Sequence, residues 1–321
     1  MTKSLPWRLR LPVFAAPMFL VSGPELVIAA CKSGIIGAFP TPNARPIEEL
    51  ERWMQVITTS LSVARQDNPN AIIGPWCANL ITHSSNARLP QDLALIARYK
   101  PPVVVTALGS PKPALDVVHG YGGLVFADVV NLTLARKAVA AGADGIACIA
   151  AGAGGHTGHI SPFAFMSAVR EFFDGYVIVG GGIADGASIA GAIASGADLA
   201  YIGTRFISAT ESMATPAYKR MVADATIDSV VVTDAVTGTP ASWLRQSLAA
   251  NGYDPGNLPS APERRYGDEN NAKRWRDIWA AGQGVGANRQ AEPIGAIVDE
   301  LERGYRKVLT RISTLAQEKP S

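Results

Sequence analysis

A histidine bracketed by glycines carries the strongest chemical signal in this sequence. Gly152-Ala153-Gly154-Gly155-His156-Thr157-Gly158-His159 follows the apolar run Gly145–Ala151. An imidazole gives or takes a proton near neutral pH, and glycines let a flat ligand approach the backbone. An isolated histidine is ordinarily structural or solvent-exposed; His156 stands apart because it sits just beyond a strand's C-terminal end. For His159 the two readings stay level. Two more glycine loops suit phosphate: Gly180-Gly181-Gly182-Ile183-Ala184-Asp185-Gly186, and Gly203-Thr204-Arg205. Without side chains in the way, main-chain N–H groups there can face phosphate oxygens, and a helix start adds a favourable dipole. Gly181, Gly182, Gly203 and Thr204 are the candidates, Thr204 adding a hydroxyl. Taken alone, the triple glycine serves equally well as a tight turn. Arg205 can neutralise a phosphate or face outward into a surface pair.

These loops need strands to present them. Eight apolar runs have the length and composition of buried parallel strands: 13–18, 35–40, 73–80, 103–108, 124–130, 145–151, 176–182 and 199–207. Helix-like stretches lie between them. Ser22-Gly23-Pro24-Glu25, Asn131 and Asp185-Gly186 read as helix starts, and Gly142 as a stop. Eight strand–helix units in one run predict an α/β fold, a (β/α)8 TIM barrel. The competitor, a doubly wound open sheet, would ordinarily carry G-x-G-x-x-G after its first strand, where this chain has Ala16-Pro17-Met18-Phe19. On the barrel, the two glycine loops follow strands seven and eight, where phosphate commonly binds. Ala140-Ala141-Gly142-Ala143-Asp144 and Ala194-Ser195-Gly196-Ala197-Asp198 repeat one helix-to-strand turn at the opposite, stability-bearing face. Residues 1–225 and 291–321 are expected to form the barrel. Residues 226–290, rich in Pro, Gly, Asn and charge, are expected to form an inserted cap of short helices and loops over its mouth. A final amphipathic helix is expected from Ile294 to about Leu315.

Composition narrows the function. Hydrophobic residues at 48% and charged ones at 17% supply a large core, and a net charge of +2 gives no footprint for nucleic acid or anionic lipid. No apolar run approaches the ~20 residues that span a membrane, and the N-terminus lacks a signal-peptide pattern. Cys31, Cys77 and Cys148 are widely spaced and fit no metal motif, so free buried thiols in a cytoplasmic protein are expected, with no metal site.

Taken together, Leu11-Pro12-Val13-Phe14-Ala15-Ala16-Pro17-Met18, Gly154-Gly155-His156-Thr157-Gly158, Gly180 to Gly186, Gly196 to Phe206 and Trp279 to Gly286 resemble the nitronate monooxygenase family, once called 2-nitropropane dioxygenases. The resemblance spans most of the chain and implies an FMN-dependent barrel. It implies that Ala16, Pro17 and Met18 lie at the flavin ring, that Asn79 and Gly155 border it, and that Gly181, Gly182, Gly203 and Thr204 hold the FMN phosphate. It also places Gln283, within Gly282-Gln283-Gly284, near the cofactor, and gives His156 the catalytic role. Two departures bear on the substrate. Gly152 stands where many members have Glu, with Ile149 in place of an upstream Gln. The fifth strand ends in Asp128, which adds Asp128 to the cofactor-binding candidates where Gln or Lys is often found.

The implied reaction is oxidation of an alkyl nitronate by FMN and O2 to a carbonyl compound and nitrite, with His156 bonding the nitro oxygens or deprotonating a neutral nitroalkane. His83 falls near the pocket or, more readily, on a surface loop. An NAD(P)H-dependent flavin reductase of quinones or enoyl thioesters is the alternative. A flavin-free sugar-phosphate barrel would need a strand-end Lys or a carboxylate pair, and Asp128 is the only acid so placed. A flavin-binding protein without catalysis remains open too.

Overall fold

Continuous apolar runs need cover on both faces, and a closed sheet ringed by helices provides it. In the computed structural model, which describes residues 4–261 and 274–317, eight parallel strands close in the order β1 (Val13–Ala15), β2 (Ile36–Pro40), β3 (Trp76–Ile81), β4 (Val103–Ala107), β5 (Leu124–Val129), β6 (Gly145–Ile149), β8 (Tyr176–Gly180) and β9 (Leu199–Ile202). Phe14 of β1 pairs with Tyr201 of β9 to complete the circle. Around it run α1 (Pro24–Lys32), α2 (Ile47–Asp67), α3 (Leu89–Tyr99), α4 (Lys112–His119), α5 (Leu132–Ala140), α6 (Pro162–Arg170), α7 (Gly186–Ala194), the short α8 (Thr204–Ile207), α9 (Pro216–Asp224) and a C-terminal helix, Ile294–Gln317. The chain is an (β/α)8 TIM barrel.

Strand alternation sorts the core. Phe14, Cys77, Val105, Phe126, Ile178 and Tyr201 fill the barrel interior. Their neighbours, such as Val13, Ile146, Val177 and Ile202, pack outward under the helices. Leu5, Trp7 and Leu9 plug the N-terminal end, where Tyr176 donates to the Ser4 carbonyl at 3.0 Å. The two Gly-Ala-Asp turns do one job twice. Gly142 and Gly196 take φ of +100° and +108°, and the following Asp144 and Asp198 accept the N–H of Val125 and Val177 at 2.8 and 2.7 Å, tying each turn to the preceding strand.

The strands run somewhat shorter than expected at their ends, and at four of them the backbone gives the reason. Strand β1 stops at Ala15 because Pro17 has no N–H to continue the ladder. Pro75 likewise delays β3 to Trp76. Strand β8 stops at Gly180 because Gly181 and Gly182 hold φ of +145° and +68°. The expected strand 199–207 ends at Ile202, and Thr204–Ile207 turns as α8, with Phe206 N–H on the Gly203 carbonyl at 2.8 Å.

The segment after α9 also departs from a helix-and-loop reading. Its β-branched run forms β10 (Val230–Thr233), antiparallel to β11 (Ala241–Leu244), followed by α10 (Arg245–Ala250). Residues 262–273, within the expected cap, lie outside the described residues. Strand β11 continues the small sheet to β7 (Gly155–His156), so the histidine loop is a strand of a second sheet. Among the described residues no helix is long and apolar enough to cross a membrane. Cys31, Cys77 and Cys148 are buried free thiols.

Candidate active site

A cavity of about 1020 Å³ opens at the C-terminal end of the barrel. Its floor is the last inward-facing layer of the strands, including Ala16, Asn79, Asp128, Ile149, Gly180 and Tyr201. Strand parity fixes this layer: Asn79 stands two residues beyond interior Cys77, and Asp128 two beyond interior Phe126. Three polar groups thus sit among small and apolar ones.

Those polar groups are unevenly satisfied. Asn79 donates from Nδ2 to the Val105 carbonyl at 3.2 Å. Asp128 Oδ1 and Tyr201 Oη are enclosed, and neither has a hydrogen-bond partner. Burial pushes the Asp128 carboxyl up to about 7, although the residue still meets the cavity along one edge. The Tyr201 phenol is driven well above its usual range by burial, and further by the nearby Asp128 charge. An enclosed polar atom without a partner costs about 1–3 kcal/mol, so Asp128 and Tyr201 are held beneath the cavity at a cost in stability.

The wall on the β1 side is the Ala16-Pro17-Met18 turn. Two side chains clamp it: Ser22, read from sequence as part of a helix start, and Asn43, not singled out there. Ser22 Oγ accepts the Met18 N–H at 3.0 Å, so Ser22 holds the turn rather than capping α1. Asn43 Nδ2 donates to the Met18 and Ser22 carbonyls at 2.9 and 2.8 Å, while its Oδ1 accepts Leu20 N–H.

The loops after β8 and β9 border the same cavity with Gly181, Gly182, Gly203 and Thr204. A Cβ on Gly182 would meet nothing within 4 Å, and its φ is positive; a side chain there would enter the open space. The Gly182 N–H, however, does not face that space: it donates to the Gly152 carbonyl at 3.1 Å. Thr204 is better placed as a donor. Its hydroxyl oxygen accepts the Gly282 N–H at 2.9 Å, which leaves the hydroxyl hydrogen for a cavity ligand. Asp185 opens α7 with a capping box, accepting the Ser188 N–H at 2.7 Å. Arg205 takes the outward alternative. Its side chain is 2% exposed, and Nη2 bonds Glu292 and Glu300 at 2.8 and 2.7 Å, pinning the C-terminal segment to α8.

His156 borders the cavity from the β7 side. Its backbone pairs with Ala241, and Thr157 N–H bonds the Pro240 carbonyl at 3.2 Å. The imidazole packs edge-on to Trp275, ring centroids 5.1 Å apart, and Trp275 rests on Trp243. Gly155 lines the cavity beside it. His83 bonds Ser85 at 2.7 Å, and neither His83 nor the exposed His159 lines the cavity.

Gln283 is not part of the lining; it stands behind Gly152. Its N–H shares the Gly152 carbonyl with Gly182, at 2.9 Å, and a Cβ on Gly152 would lie 2.8 Å from Gln283 Oε1. Glycine at 152 follows from its φ of +88°, a left-handed conformation that residues with a Cβ rarely adopt.

A flat, polar-edged ring bearing a phosphate arm fits these features. Polar residues line the floor, and glycines with a threonine hydroxyl border the side where a phosphate would lie. No cluster of His, Cys, Asp or Glu able to hold a metal ion occurs among the described residues.

The nitronate monooxygenase family model matches residues 4–301. A nitronate monooxygenase from Paraburkholderia phytofirmans is 27% identical, with 95% of each chain covered. A hydroxy-methyl-oxo-octahydroindene-carboxyl-CoA dehydrogenase from Mycobacterium tuberculosis is 28% identical over 74% of this chain and 64% of its own. Among solved structures, a nitroalkane oxidase from Streptomyces ansochromogenes superposes with a TM-score of 0.78 at 24% identity, covering 95% of this chain and 98% of that one.

Proposed function

Because the chain belongs to the nitronate monooxygenase family, we propose that it oxidises alkyl nitronates with O2 to a carbonyl compound and nitrite, using FMN held at the barrel mouth. The reading is carried by one observation: His156, the glycine loops and the polar floor border a common cavity. The flavin would supply electron acceptance from the anionic substrate and the reaction with oxygen.

The protein's part is placement and charge. Gly182 leaves room for the phosphate, Gly181 and Gly203 border the same side, and the Thr204 hydroxyl donates to it. Ala16, Pro17 and Met18 form a wall for the ring, held rigid by Ser22 and Asn43. Asn79, Asp128 and Tyr201 offer hydrogen bonds to its polar edge. Gln283 acts from behind, through Gly152. His156 faces the substrate: an imidazole N–H donates to a nitronate oxygen, or the neutral ring takes the α-proton of a nitroalkane. Trp275 and the β10–β11 sheet close that side and keep water from the reacting anion.

The test begins with colour. A purified protein that is colourless and takes up no FMN removes the flavin reading. With FMN bound, anaerobic propyl nitronate is expected to bleach it. His156→Asn is expected to keep FMN and lose turnover by about 100-fold or more, the range for a general acid–base group. Bleaching by NADH alone would instead favour the second reading, reduction of an enoyl thioester or quinone with NAD(P)H. That reading draws on the similarity to a CoA-thioester dehydrogenase and on a cavity roomy enough for a larger substrate.

A further inference from the structure

The cavity does not end over the barrel floor. It continues outward between the loop after β4 and the first turns of α5, where Leu108, Pro111, Val130, Leu134 and Lys137 line it. In the closed strand order this arm lies across the barrel from β9 and β1, hence away from Gly203 and Thr204.

Two features mark the arm as a binding surface. Leu108 and Leu134 are 42% and 41% exposed, yet both line the cavity. Leu108 also holds φ at +60°, a left-handed conformation that costs a residue with a Cβ about 1–2 kcal/mol. Turns needing that conformation ordinarily use Gly or Asn. Here the loop is fixed by its neighbour: a Cβ on Gly109 would lie 2.5 Å from the Thr82 backbone, so Gly109 is pressed onto the end of β3. The strained residue spends its side chain on an apolar wall open to the cavity. Among the described residues no carboxylate lines the arm, and Lys137 stands on the helix turn beyond Leu134.

Volume points the same way. Pockets for one ligand run from about 300 to about 1,000 Å³, and 1020 Å³ lies just past that range. A ring on the floor with its phosphate at Thr204 leaves the arm unfilled.

We propose that the arm between the β4–α4 loop and α5 is a subsite for a hydrocarbon substituent of the substrate, with Leu108 and Leu134 as its specificity-determining walls. The substrate class is then a nitronate bearing an extended alkyl chain; the naming of the nitronate rests on the function proposed above, while the arm itself does not.

Straight-chain carboxylates, planar two-oxygen anions like nitronates, are suitable probes. Their binding to the purified holoprotein is measured by calorimetry from acetate upward, and turnover is measured with 1-nitronates of matching length. Affinity is expected to rise roughly fourfold per methylene while the arm fills, then level. Leu134→Asn, at an exposed helix position, and Leu108→Asn, suited to a left-handed backbone, should each flatten that slope. A flat series in the wild-type protein, or an unchanged slope in both variants, overturns the subsite. A rising series without nitronate turnover keeps the subsite and rejects the reaction. Turnover with a flat series does the reverse.

Discussion

Replacing Asp128 by Asn should stabilise the protein at neutral pH and leave it unchanged in acid. The enclosed carboxyl titrates at about 7 rather than 3.8. Below the unfolded value both states carry the proton, and the group contributes nothing to the pH dependence. Between about 4 and 7 the unfolded chain ionises while the folded one stays protonated, so the folded state loses up to about 1.4 kcal/mol per pH unit. Above about 7 both are ionised and the loss levels near 4 kcal/mol. Asn keeps the shape and carries no charge, so it avoids this loss. With about 2.1 cal/mol/K of unfolding entropy per residue over 321 residues, 4 kcal/mol corresponds to about 6 °C in Tm. The assay is thermal unfolding of both apoproteins from about pH 4 to about pH 8. The Asp128→Asn variant should gain on the wild type as pH rises, by about 6 °C at the upper end. A gap that stays constant, or widens toward acid, would refute the claim that Asp128 is buried without compensation.

Two other perturbations probe the scaffold. Gly186→Ala would place a Cβ 2.0 Å from the Tyr305 backbone N and 2.3 Å from the Gly304 carbonyl carbon, where α7 crosses the C-terminal helix; despite alanine's better helix propensity, overpacking by about 3 kcal/mol should lower Tm by about 4 °C. A variant at least as stable as the wild type would show that the crossing is not tight. Thr204→Val removes the hydroxyl and should weaken FMN binding by about tenfold, with Thr204→Ser restoring it. Equal affinity in all three, read by flavin fluorescence, would take Thr204 out of the phosphate site.

What the sequence disclosed and what it hid divide along physical lines. Parallel strands buried on both faces leave continuous apolar runs, so the barrel was legible. The placement of His156 at the cavity was legible too, because a histidine just past a strand's C-terminal end falls at the mouth of the barrel. Tyr201 was not: within Leu199-Ala200-Tyr201-Ile202 it reads as core, and only strand parity sets it in the inward-facing layer beneath the cavity. Asn43 and Ser22 act on the backbone of a distant or neighbouring turn, and such bonds leave no periodic trace. The strand character of Val230–Thr233 was lost in the composition of the long segment it opens, which as a whole is rich in Pro, Gly, Asn and charge. Gln283 shows the limit of a motif. It does not line the cavity; its contact is with Gly152, and that contact follows from the meeting of two loops far apart in the chain.

The pairing of β7 with β11 has a mechanical meaning. Because Ala241 and Pro240 hold the backbone of His156 and Thr157, the place of the imidazole is set from two sides: by the barrel strand it follows and by a strand that arrives from far along the chain. A shift of β11 that preserves those bonds carries the ring with it, so the histidine's distance from the barrel is adjustable by a segment that contributes no side chain of its own to the cavity lining.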